Sequence, residues 1–324
     1  MYNFCTLFDS FYLSRGLTMY NSLKHQIGEF HLYIFPFDEL SFRILNELNL
    51  DNVTLVNQKK FETIELLEVK KKRSKAEYCW TCTSSIIAYV LDNYNVLDCT
   101  YIDADLFFYN SPAILLKELT GGKTVLITEH RYSLISRLYD EKRAGKYCVQ
   151  FITFTNDQES KIILKTWINQ CIDWCYARYE EGKFGDQKYL DLWPDLYNSV
   201  LVSKHPGGGV APWNVNQYRI TKNEDLLSGI ERKSGKKFEI IFYHFHFVRF
   251  MDCGYIDLGW NRIPVDIQSI IYVPYIMKLR ETELLLRNSF IDYQTKYYQS
   301  KPSGIKNSIK YFIKRITKFN LVKV

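Results

Sequence analysis

The first 105 residues alternate between segments typical of buried strands and segments typical of amphipathic helices. Residues 2–8 and 30–35 are apolar and aromatic, and each is followed by a stretch whose apolar residues recur at helical spacing. Parallel strands need a long crossover between them, and a helix is the usual crossover. The sequence therefore predicts an α/β fold with a mostly parallel, doubly wound sheet.

The same kind of pattern extends along most of the chain. Strands are predicted at 2–8, 30–35, 53–56, 99–102, 124–128, 149–155 and 238–246. Helices are predicted at 13–27, 38–48, 74–93, 156–181 and 274–298, with Asp38 and Ser74 as N-caps. The chain first breaks at Lys301-Pro302-Ser303-Gly304, so we expect one large domain over residues 1–300 and a tail over 301–324.

The composition is that of a soluble globular protein, with 47% hydrophobic and 24% charged residues. No apolar run approaches the roughly 20 residues of a membrane-spanning helix, and the opening residues lack a secretory signal pattern. We therefore expect a cytoplasmic protein whose eight cysteines are reduced and mostly pack in the interior. Cys79 and Cys82 form a C-x-x-C, but its place inside a predicted helix favours neither a zinc nor a redox site.

The net charge of +6 arises from the tail. Residues 301–324 contain seven basic and no acidic residues, which leaves 35 basic and 36 acidic residues in 1–300. A nucleic-acid-binding domain usually presents a basic face, and a nearly neutral body gives no indication of one. We therefore expect no nucleic-acid partner.

Two aspartates follow the predicted strand at 99–102. Asp103 and Asp105 are flanked by apolar residues, and ligands of open α/β sheets bind beyond the carboxyl ends of the strands. Two neighbouring carboxylates are costly to desolvate without a cation, and their oxygens suit Mn²⁺ or Mg²⁺. The pattern predicts a divalent metal site for substrate phosphate oxygens; the alternative is a turn with two solvated aspartates.

Three later segments carry further candidate site residues. Asp186 and Gln187 lie side by side at a predicted helix start. Residues 205–214 contain three consecutive glycines, which permit either close approach of a ligand or a plain flexible turn. His244 and His246 lie on one face of a predicted strand end, so either is a candidate metal ligand, although a histidine among aromatics is commonly a core residue.

Taken together, these segments resemble the GT-A glycosyltransferases, whose Rossmann-like domain carries a D-x-D metal site. The bacterial enzymes of the galactosyltransferase and glycogenin group (family 8-like) are similar between about residues 2 and 250. Residues 4–17 look like their first strand and helix, and residues 73–81 look like the segment before their D-x-D. The resemblance implies a GT-A fold, with a mostly parallel mixed sheet flanked by helices and further helices at the C-terminus.

The resemblance also implies individual roles. Asp103, Asp105 and His244 would bind the metal, and Asp103 would also contact the ribose or sugar of the donor. Asp186 would bind the transferred sugar with Gln187 near its anomeric carbon, an arrangement that goes with retention of configuration in that group. The remaining donor contacts are Thr6, Phe8, Asp9 and Tyr12 for the base and ribose, and Arg73 or Lys75 for the diphosphate.

Three residues depart from the pattern of that group. Phe247 stands where a glycine is expected after His-Phe-His. Cys148 and Gln150 stand where an asparagine and a glycine are expected. These differences bear on the phosphate contact, on donor specificity and on activity itself.

The predicted function is a metal-dependent hexosyl transfer. The resemblance implies that the donor is a UDP-sugar or another nucleotide-diphosphate sugar. The expected acceptor is a glycan, namely a lipid-linked oligosaccharide of bacterial surface polysaccharide assembly. A metal and basic side chains stabilise the departing diphosphate, and a nearby carboxylate or amide suits the oxocarbenium-like carbon. Two alternatives stay open: a catalytically inactive GT-A-like binding or scaffold protein, and a D-x-D phosphatase.

Residues 305–321 predict an amphipathic basic helix. Its apolar residues recur every three or four positions, while lysines step by four along another face at 306, 310, 314 and 318. Such a helix suits an anionic membrane surface, so we expect a peripheral protein on the inner face of the plasma membrane. The alternative is a helix packed on the domain with solvated lysines.

Overall fold

A computed structural model describes residues 1–133, 136–223, 226–298 and 305–323. A seven-stranded sheet forms its centre, with the strand order β3-β2-β1-β4-β7-β6-β8. These strands are Tyr2–Phe8 (β1), Phe30–Pro36 (β2), Val53–Leu55 (β3), Asp98–Ile102 (β4), Val125–Glu129 (β6), Tyr147–Thr155 (β7) and Val200–Val202 (β8).

The predicted mostly parallel mixed sheet is confirmed. Strands β3, β2, β1 and β4 pair in parallel, and β6 pairs in parallel with β8. Strand β7 is antiparallel to both of its neighbours, β4 and β6. The sheet therefore changes direction at β7, beside the strand that leads into Asp103 and Asp105.

Helices cover the sheet and extend beyond it. They are Leu13–Gln26 (α1), Glu39–Leu48 (α2), Gln58–Phe61 (α3), Ile64–Lys70 (α4), Lys75–Asn93 (α5), Ala113–Leu116 (α6), Lys142–Ala144 (α7), Gln158–Asp173 (α8), Trp193–Leu196 (α9), Val265–Ile267 (α10), Val273–Ser289 (α11) and Ile305–Thr317 (α12). Asp38 caps α2 by accepting from the Ser41 amide, and Ser74 caps α5 in a reciprocal capping box with Glu77. Both predicted N-caps are confirmed.

The helix predicted at 156–181 ends earlier, at Asp173. The Arg73 guanidinium donates to the carbonyls of Cys171 and Ile172, and the Tyr189 hydroxyl donates to the carbonyl of Gln170. Arg73 therefore satisfies the two carbonyls that the next helical turn would have used, whereas the Gln170 carbonyl also accepts from the Trp174 amide. The helix predicted at 274–298 likewise ends early, at Ser289.

The strand predicted at 238–246 is two strands, Lys237–Glu239 (β12) and Phe242–His244 (β13). The first pairs with Leu226–Glu231 (β11), which also pairs with Tyr218–Asn223 (β10). The second pairs with Leu106–Phe108 (β5) and Gly208–Val210 (β9). The chain changes partners between the two, which interrupts the strand.

Alternation along β1 supplies both faces of the sheet with apolar side chains. Cys5 and Leu7 belong to the cluster that packs under α5 and α8. Phe4 and Phe8 belong to the cluster under α1 and α2. This two-sided burial is typical of parallel strands covered by helices, and it explains why residues 2–8 read as a continuous apolar run.

The C-terminal helix lies against the domain through a small face. Tyr311 and Lys314 are buried, and Lys314 pairs with Asp257 and donates to the Gly259 carbonyl at 2.7 Å. Strand Leu321–Val322 (β16) then pairs with Ile256–Asp257 (β15), which pairs with Arg249–Phe250 (β14). The prediction that Lys314 lies on a solvated basic face is therefore wrong, because a buried aspartate from β15 takes up its charge.

All eight cysteines are free, and only Cys253 is exposed. The prediction that most cysteines pack in the interior is confirmed, and Cys79 and Cys82 lie within α5. None of the helices in the described part of the chain is long and apolar enough to cross a membrane.

Candidate metal and donor site

Asp103 and Asp105 lie in the turn that joins β4 to β5. The Asp103 amide donates to the Gln150 carbonyl on β7, and the Leu106 amide donates back to the Asp103 carbonyl at 3.3 Å. The turn therefore begins at the carboxyl end of β4, where the sheet changes direction. This is the edge at which open α/β sheets bind ligands.

Strand β13 brings His244 to the same turn. It pairs antiparallel with β5 so that His244 is opposite Leu106, and the Phe245 amide donates to the Asp105 carbonyl. As a result His244 Nε2 lies 3.1 Å from Asp105 Oδ1 and 3.7 Å from Asp103 Oδ2. Residues separated by about 140 positions in sequence thus lie in one cluster of two carboxylates and one imidazole.

Burial and charge act against each other in this cluster. Burial raises the pKa of Asp103 to about 6, with the neighbouring Asp105 charge adding to the rise. Burial also opposes ionisation of Asp105, but the charge and hydrogen bond of His244 lower its pKa below the usual value. Burial disfavours the His244 cation, yet Asp105 holds its pKa well above the usual value. One positive charge, either from a proton on His244 or from a metal ion, therefore offsets the negative charge of the buried carboxylates.

Gln150 orients His244 from behind. The Nδ1 atom of His244 lies 2.6 Å from Oε1 of Gln150, whose side chain is fully buried, and the Gln150 amide nitrogen faces the Thr128 hydroxyl. An acceptor at Nδ1 fixes the tautomer that leaves the Nε2 lone pair free for a metal. The sequence presented Gln150 only as a departure from an expected glycine, because nothing local links positions 150 and 244.

A divalent cation fits the donor set. One ligand atom each from Asp105, His244 and His246 lies within 4.8 Å of the other two, and we call these three residues the metal cluster. Asp105 and His244 are buried, whereas His246 is exposed. Carboxylate oxygen and imidazole nitrogen are suitable ligands for several divalent ions.

The glycine-rich loop, residues 205–214, is hydrogen-bonded beside the metal cluster. The Trp213 indole nitrogen and the Asn214 amide both donate to the His130 carbonyl at 2.8 Å. The Trp213 ring stands edge-on to both imidazoles of the cluster, with centroids 5.3 and 5.9 Å away. Gly209 adopts φ +139°, where a side chain is strained, and a Cβ atom there would make a tight contact with the Gln150 amide at 3.0 Å. Its role is therefore close packing rather than flexibility.

Asp186 is a buried carboxylate close enough to Asp103 for their charges to interact. Its carbonyl accepts from the Trp167 indole at 2.9 Å, and its side chain is buried. Burial raises the pKa of Asp186 to about 7, and the charge of Asp103 contributes to the rise. The charges of the two carboxylates therefore interact. The neighbouring Gln187 amide donates to the Ala144 carbonyl at 2.7 Å.

The residues predicted for the base and ribose have different environments. Thr6 is fully buried, and the Phe8 ring occupies the space where Gly16 would carry a side chain. Asp9 and Tyr12 are only partly buried, and Asp9 accepts from the amide of residue 12 at 3.3 Å. Asp9 and Tyr12 are therefore more accessible to a nucleotide than Thr6 and Phe8.

The two residues predicted for the diphosphate also differ. Arg73 is buried, bonds to the Thr81 hydroxyl and caps the end of α8 through two carbonyls. Lys75 is exposed at the start of α5, and its charge lowers the pKa of Asp9, although burial raises that pKa overall. The environment of Lys75 is the more compatible with a phosphate contact.

Two arginines near the site were not among the predicted residues. The Arg249 guanidinium lies 3.7 Å from the Phe247 ring centroid and 4.4 Å from that of Tyr298. The Arg15 guanidinium donates to the Val248 carbonyl at 2.7 Å, and its charge lowers the pKa of Asp105. Neither arginine forms an ion pair with a carboxylate in the described part of the chain. Arg249 stands two positions after His-Phe-His-Phe, and this position was the sequence signal that could have identified it.

Comparison with known proteins relates the chain to two Bacillus subtilis (strain 168) proteins. YfnD, an uncharacterized protein, is 27% identical over 297 residues, which cover 90% of this chain and 93% of YfnD. YfnF, also uncharacterized, is 30% identical over 252 residues, which cover 75% of this chain and 80% of YfnF. The chain belongs to the same family as YfnF. No protein-family model matches it.

The fold of this YfnF-family protein is found among solved glycosyltransferases. The galactosyltransferase LgtC, in complex with donor and acceptor sugar analogues, superposes with a TM-score of 0.50 at 11% identity, over 86% of this chain and 95% of LgtC. An active-site variant of LgtC gives a TM-score of 0.51 over the same shares. The predicted GT-A fold is thereby confirmed for this YfnF-family chain.

Proposed function

We propose that this protein is a metal-dependent glycosyltransferase that uses a nucleotide-diphosphate sugar, with a UDP-sugar as the expected donor. The observation that carries the proposal is the convergence of Asp103, Asp105 and His244 at the carboxyl edge of the sheet, with His244 Nε2 3.1 Å from Asp105. The GT-A fold shared with LgtC supports it. The metal, Mn²⁺ or Mg²⁺, would supply positive charge to the departing diphosphate.

The chain's own residues have distinct roles in this proposal. Asp105 and His244 would hold the metal, and Gln150 would keep His244 in the ligating tautomer. Asp103, whose Oδ1 accepts from the Tyr101 hydroxyl at 2.8 Å, would contact the ribose or sugar and complete the metal set. Lys75 and Arg249 would contact the diphosphate, because both are accessible to solvent whereas Arg73 is engaged with α8.

Asp186 and Gln187 would act on the transferred sugar. Asp186 lies close enough to Asp103 for their charges to interact, so both can face one sugar ring. Gln187 follows it at the start of a short 3-10 segment. A carboxylate and an amide near the anomeric carbon suit its positive charge in the transition state, and the resemblance associates this pair with retention. A glutamine is also the residue changed in the active-site variant of LgtC.

The proposed setting is bacterial surface polysaccharide assembly, with a lipid-linked oligosaccharide as the glycan acceptor. We assign catalysis to residues 1–300 and membrane association to residues 301–324. The C-terminal helix supports this assignment, because its exposed residues include Ile309, Phe312, Ile313 and Ile316. Lys310, Arg315 and Lys318 are exposed on the same helix or directly after it, with no acidic residue among them. Apolar side chains flanked by basic ones suit the surface of an anionic bilayer.

Nucleotide binding tests the proposal directly. Thermal unfolding of the full chain should shift upward when UDP and Mn²⁺ are added together, and less when either is added alone, because ligands of the native state stabilise it. A panel of other nucleoside diphosphates covers the possibility of a different base. If none of them shifts the transition in the presence of Mn²⁺, the donor class is wrong.

A further inference from the structure

We infer that α12 and β16 of the C-terminal tail position Arg249, so that the tail supports binding of the donor diphosphate without touching it. The inference rests on the proposed function for the diphosphate and for its contact with Arg249. It goes beyond that function by giving the tail a second role besides membrane association. The buried polar face of the tail, which includes Lys314 and Asn320, carries the inference.

Asp257 on β15 connects the tail with Arg249. It lies opposite Arg249 in the antiparallel pair of β14 and β15, and opposite Leu321 in the pair of β15 and β16. Its buried carboxylate also forms the ion pair with Lys314 of α12. Burial lowers the pKa of Lys314, Asp257 opposes this, and the nearby charge of Arg249 adds to the lowering. Both elements of the tail therefore meet at the residue that is paired with Arg249.

The turn after β15 connects the tail with the aromatic ring beside Arg249. The Gly259 carbonyl accepts from Lys314 Nζ at 2.7 Å and from the Asn320 side-chain amide at 3.1 Å. Gly259 adopts φ +89°, and a Cβ atom there would lie 3.1 Å from the Phe247 ring. The centroid of that ring is 3.7 Å from the Arg249 guanidinium. A shift of the turn would therefore displace Phe247 and, with it, Arg249.

Phe247 depends on such support. It adopts φ +72°, a backbone conformation that bulky residues rarely adopt. Strain of this kind persists only where the surroundings enforce it. Phe247 also stands where a glycine is expected, and a glycine would adopt this conformation without strain. The contact with Gly259, which the tail holds by two hydrogen bonds, is therefore one of the contacts that keep the Phe247 turn in place.

Arg249 is prepared to bind an anion. Its guanidinium lies between the rings of Phe247 and Tyr298, with the second centroid 4.4 Å away. Among the residues that the structure describes, no carboxylate forms an ion pair with it. A planar guanidinium binds phosphate oxygens through two parallel hydrogen bonds, so its affinity for phosphate depends on its orientation. Loss of the tail contacts should therefore weaken diphosphate binding.

Calorimetric titration of the full chain with UDP in the presence of Mn²⁺ tests the inference. Asn320→Gly removes three hydrogen bonds to residues 259–263, and glycine tolerates the φ of +51° at this position. UDP binding should weaken by about tenfold, as expected when a charge-assisted hydrogen bond is lost. Mn²⁺ affinity without nucleotide should change by less than about threefold, because the tail does not contact the metal ligands.

Asn156→Ala is the matched control. It removes a side-chain amide that donates to two carbonyls, as Asn320 does. Asn156 follows β7 at the edge of the sheet where β4 begins, opposite to the donor site. This variant should change UDP affinity by less than about threefold. Circular dichroism confirms that each variant is folded.

A double-mutant cycle with Arg249→Ala distinguishes positioning from a general loss of stability. If the tail acts through Arg249, Asn320→Gly should weaken UDP binding by less than about twofold once Arg249 is already replaced. A further loss as large as that of Asn320→Gly alone would overturn the inference, because the tail would then act elsewhere. Equal UDP affinities of Asn320→Gly and the wild type would overturn it as well.

Hydrogen exchange without nucleotide separates this inference from the proposed function. The amides of residues 247–251 should exchange about tenfold faster in Asn320→Gly than in the wild type, and at an unchanged rate in Asn156→Ala. Unchanged exchange in Asn320→Gly would show that the tail does not hold this turn. A wild-type chain that binds no nucleoside diphosphate would contradict the proposed donor, whereas the exchange rates would still decide whether the tail positions Arg249.

Discussion

His244 Nδ1 lies 2.6 Å from Gln150 Oε1, and the same imidazole lies 3.1 Å from Asp105 through Nε2. The ring is therefore held between an amide acceptor and a carboxylate, with both side-chain partners buried. Gln150 stands where the resembled group is expected to have a glycine. In this chain that difference supplies a hydrogen-bond partner for His244, the proposed metal ligand.

Removing that support should weaken metal binding. Gln150→Ala leaves Nδ1 of His244 without its acceptor, and loss of such outer partners costs about 10- to 100-fold in metal affinity. Gln150→Glu keeps an acceptor at the same place and should lose less. Calorimetric titration with Mn²⁺ checks both variants, and equal affinities for Gln150→Ala and the wild type would contradict the orienting role.

Breaking the buried pair of Lys314 and Asp257 should destabilise the protein. Lys314→Met removes the cation and leaves a buried carboxylate whose remaining partner is the Gly259 amide at 2.8 Å. The free energy of unfolding should fall by about 3–5 kcal/mol. Urea denaturation measures it, and Lys310→Met, an exposed position on the same helix, should change it by less than about 0.5 kcal/mol. Similar effects of the two substitutions would show that Lys314 is not an anchor.

Ionisation of the Asp186 carboxyl should lower the free energy of unfolding at neutral and higher pH. Its folded pKa of about 7 lies above the ordinary value of 3.8, so the native state binds the proton more tightly than the unfolded chain does. That contribution to stability is complete below pH 3.8 and is lost as the pH rises through 7.

Asp186→Asn removes the ionisable group at little change in shape. The variant should have a higher free energy of unfolding than the wild type. This difference should be roughly 2 kcal/mol larger at pH 8 than at pH 5. Denaturation curves in the presence of a metal chelator measure this difference. An advantage for the variant that does not vary between the two pH values would contradict the raised pKa.

The exposed apolar residues of the C-terminal helix should control membrane binding. Phe312 and Ile316 are 63% and 67% exposed, so replacing both with serine should not disturb the fold. The double substitution should weaken sedimentation with phosphatidylserine vesicles by about tenfold or more, because buried apolar area drives interfacial binding.

Leu138→Ser is a matched control for that experiment, since Leu138 is 75% exposed away from the helix. Truncation at residue 300 is a poorer test because it also removes Lys314 and β16, which pair with the domain. Unchanged vesicle binding by the double variant would remove the proposed membrane contact.

Features that depend on local sequence could be predicted well. The apolar run at 2–8 is β1, Ser74 with Glu77 three residues later forms the capping box of α5, and Asp103 follows a buried strand directly. Each depends on neighbouring residues alone. Their order along the chain was sufficient to predict an α/β fold with a mostly parallel sheet.

Features that depend on distant contacts were not predictable. Gln150 and His244 are 94 positions apart, and Lys314 is 57 positions from Asp257. The spacing of the tail lysines placed Lys314 on a polar face, since a buried partner on β15 leaves no local signal. The end of α8 at Asp173 likewise depends on Arg73, about 100 residues earlier.

The most direct test of the central claim is a panel of sugar nucleotides incubated with the full chain, with and without Mn²⁺, while nucleoside diphosphate release is measured. The account predicts release from at least one donor that requires the metal and falls by about 10³-fold or more in Asp105→Asn. Release by the wild type that survives this substitution would contradict the metal assignment. No release from any donor would contradict catalysis and favour an inactive binding or scaffold protein.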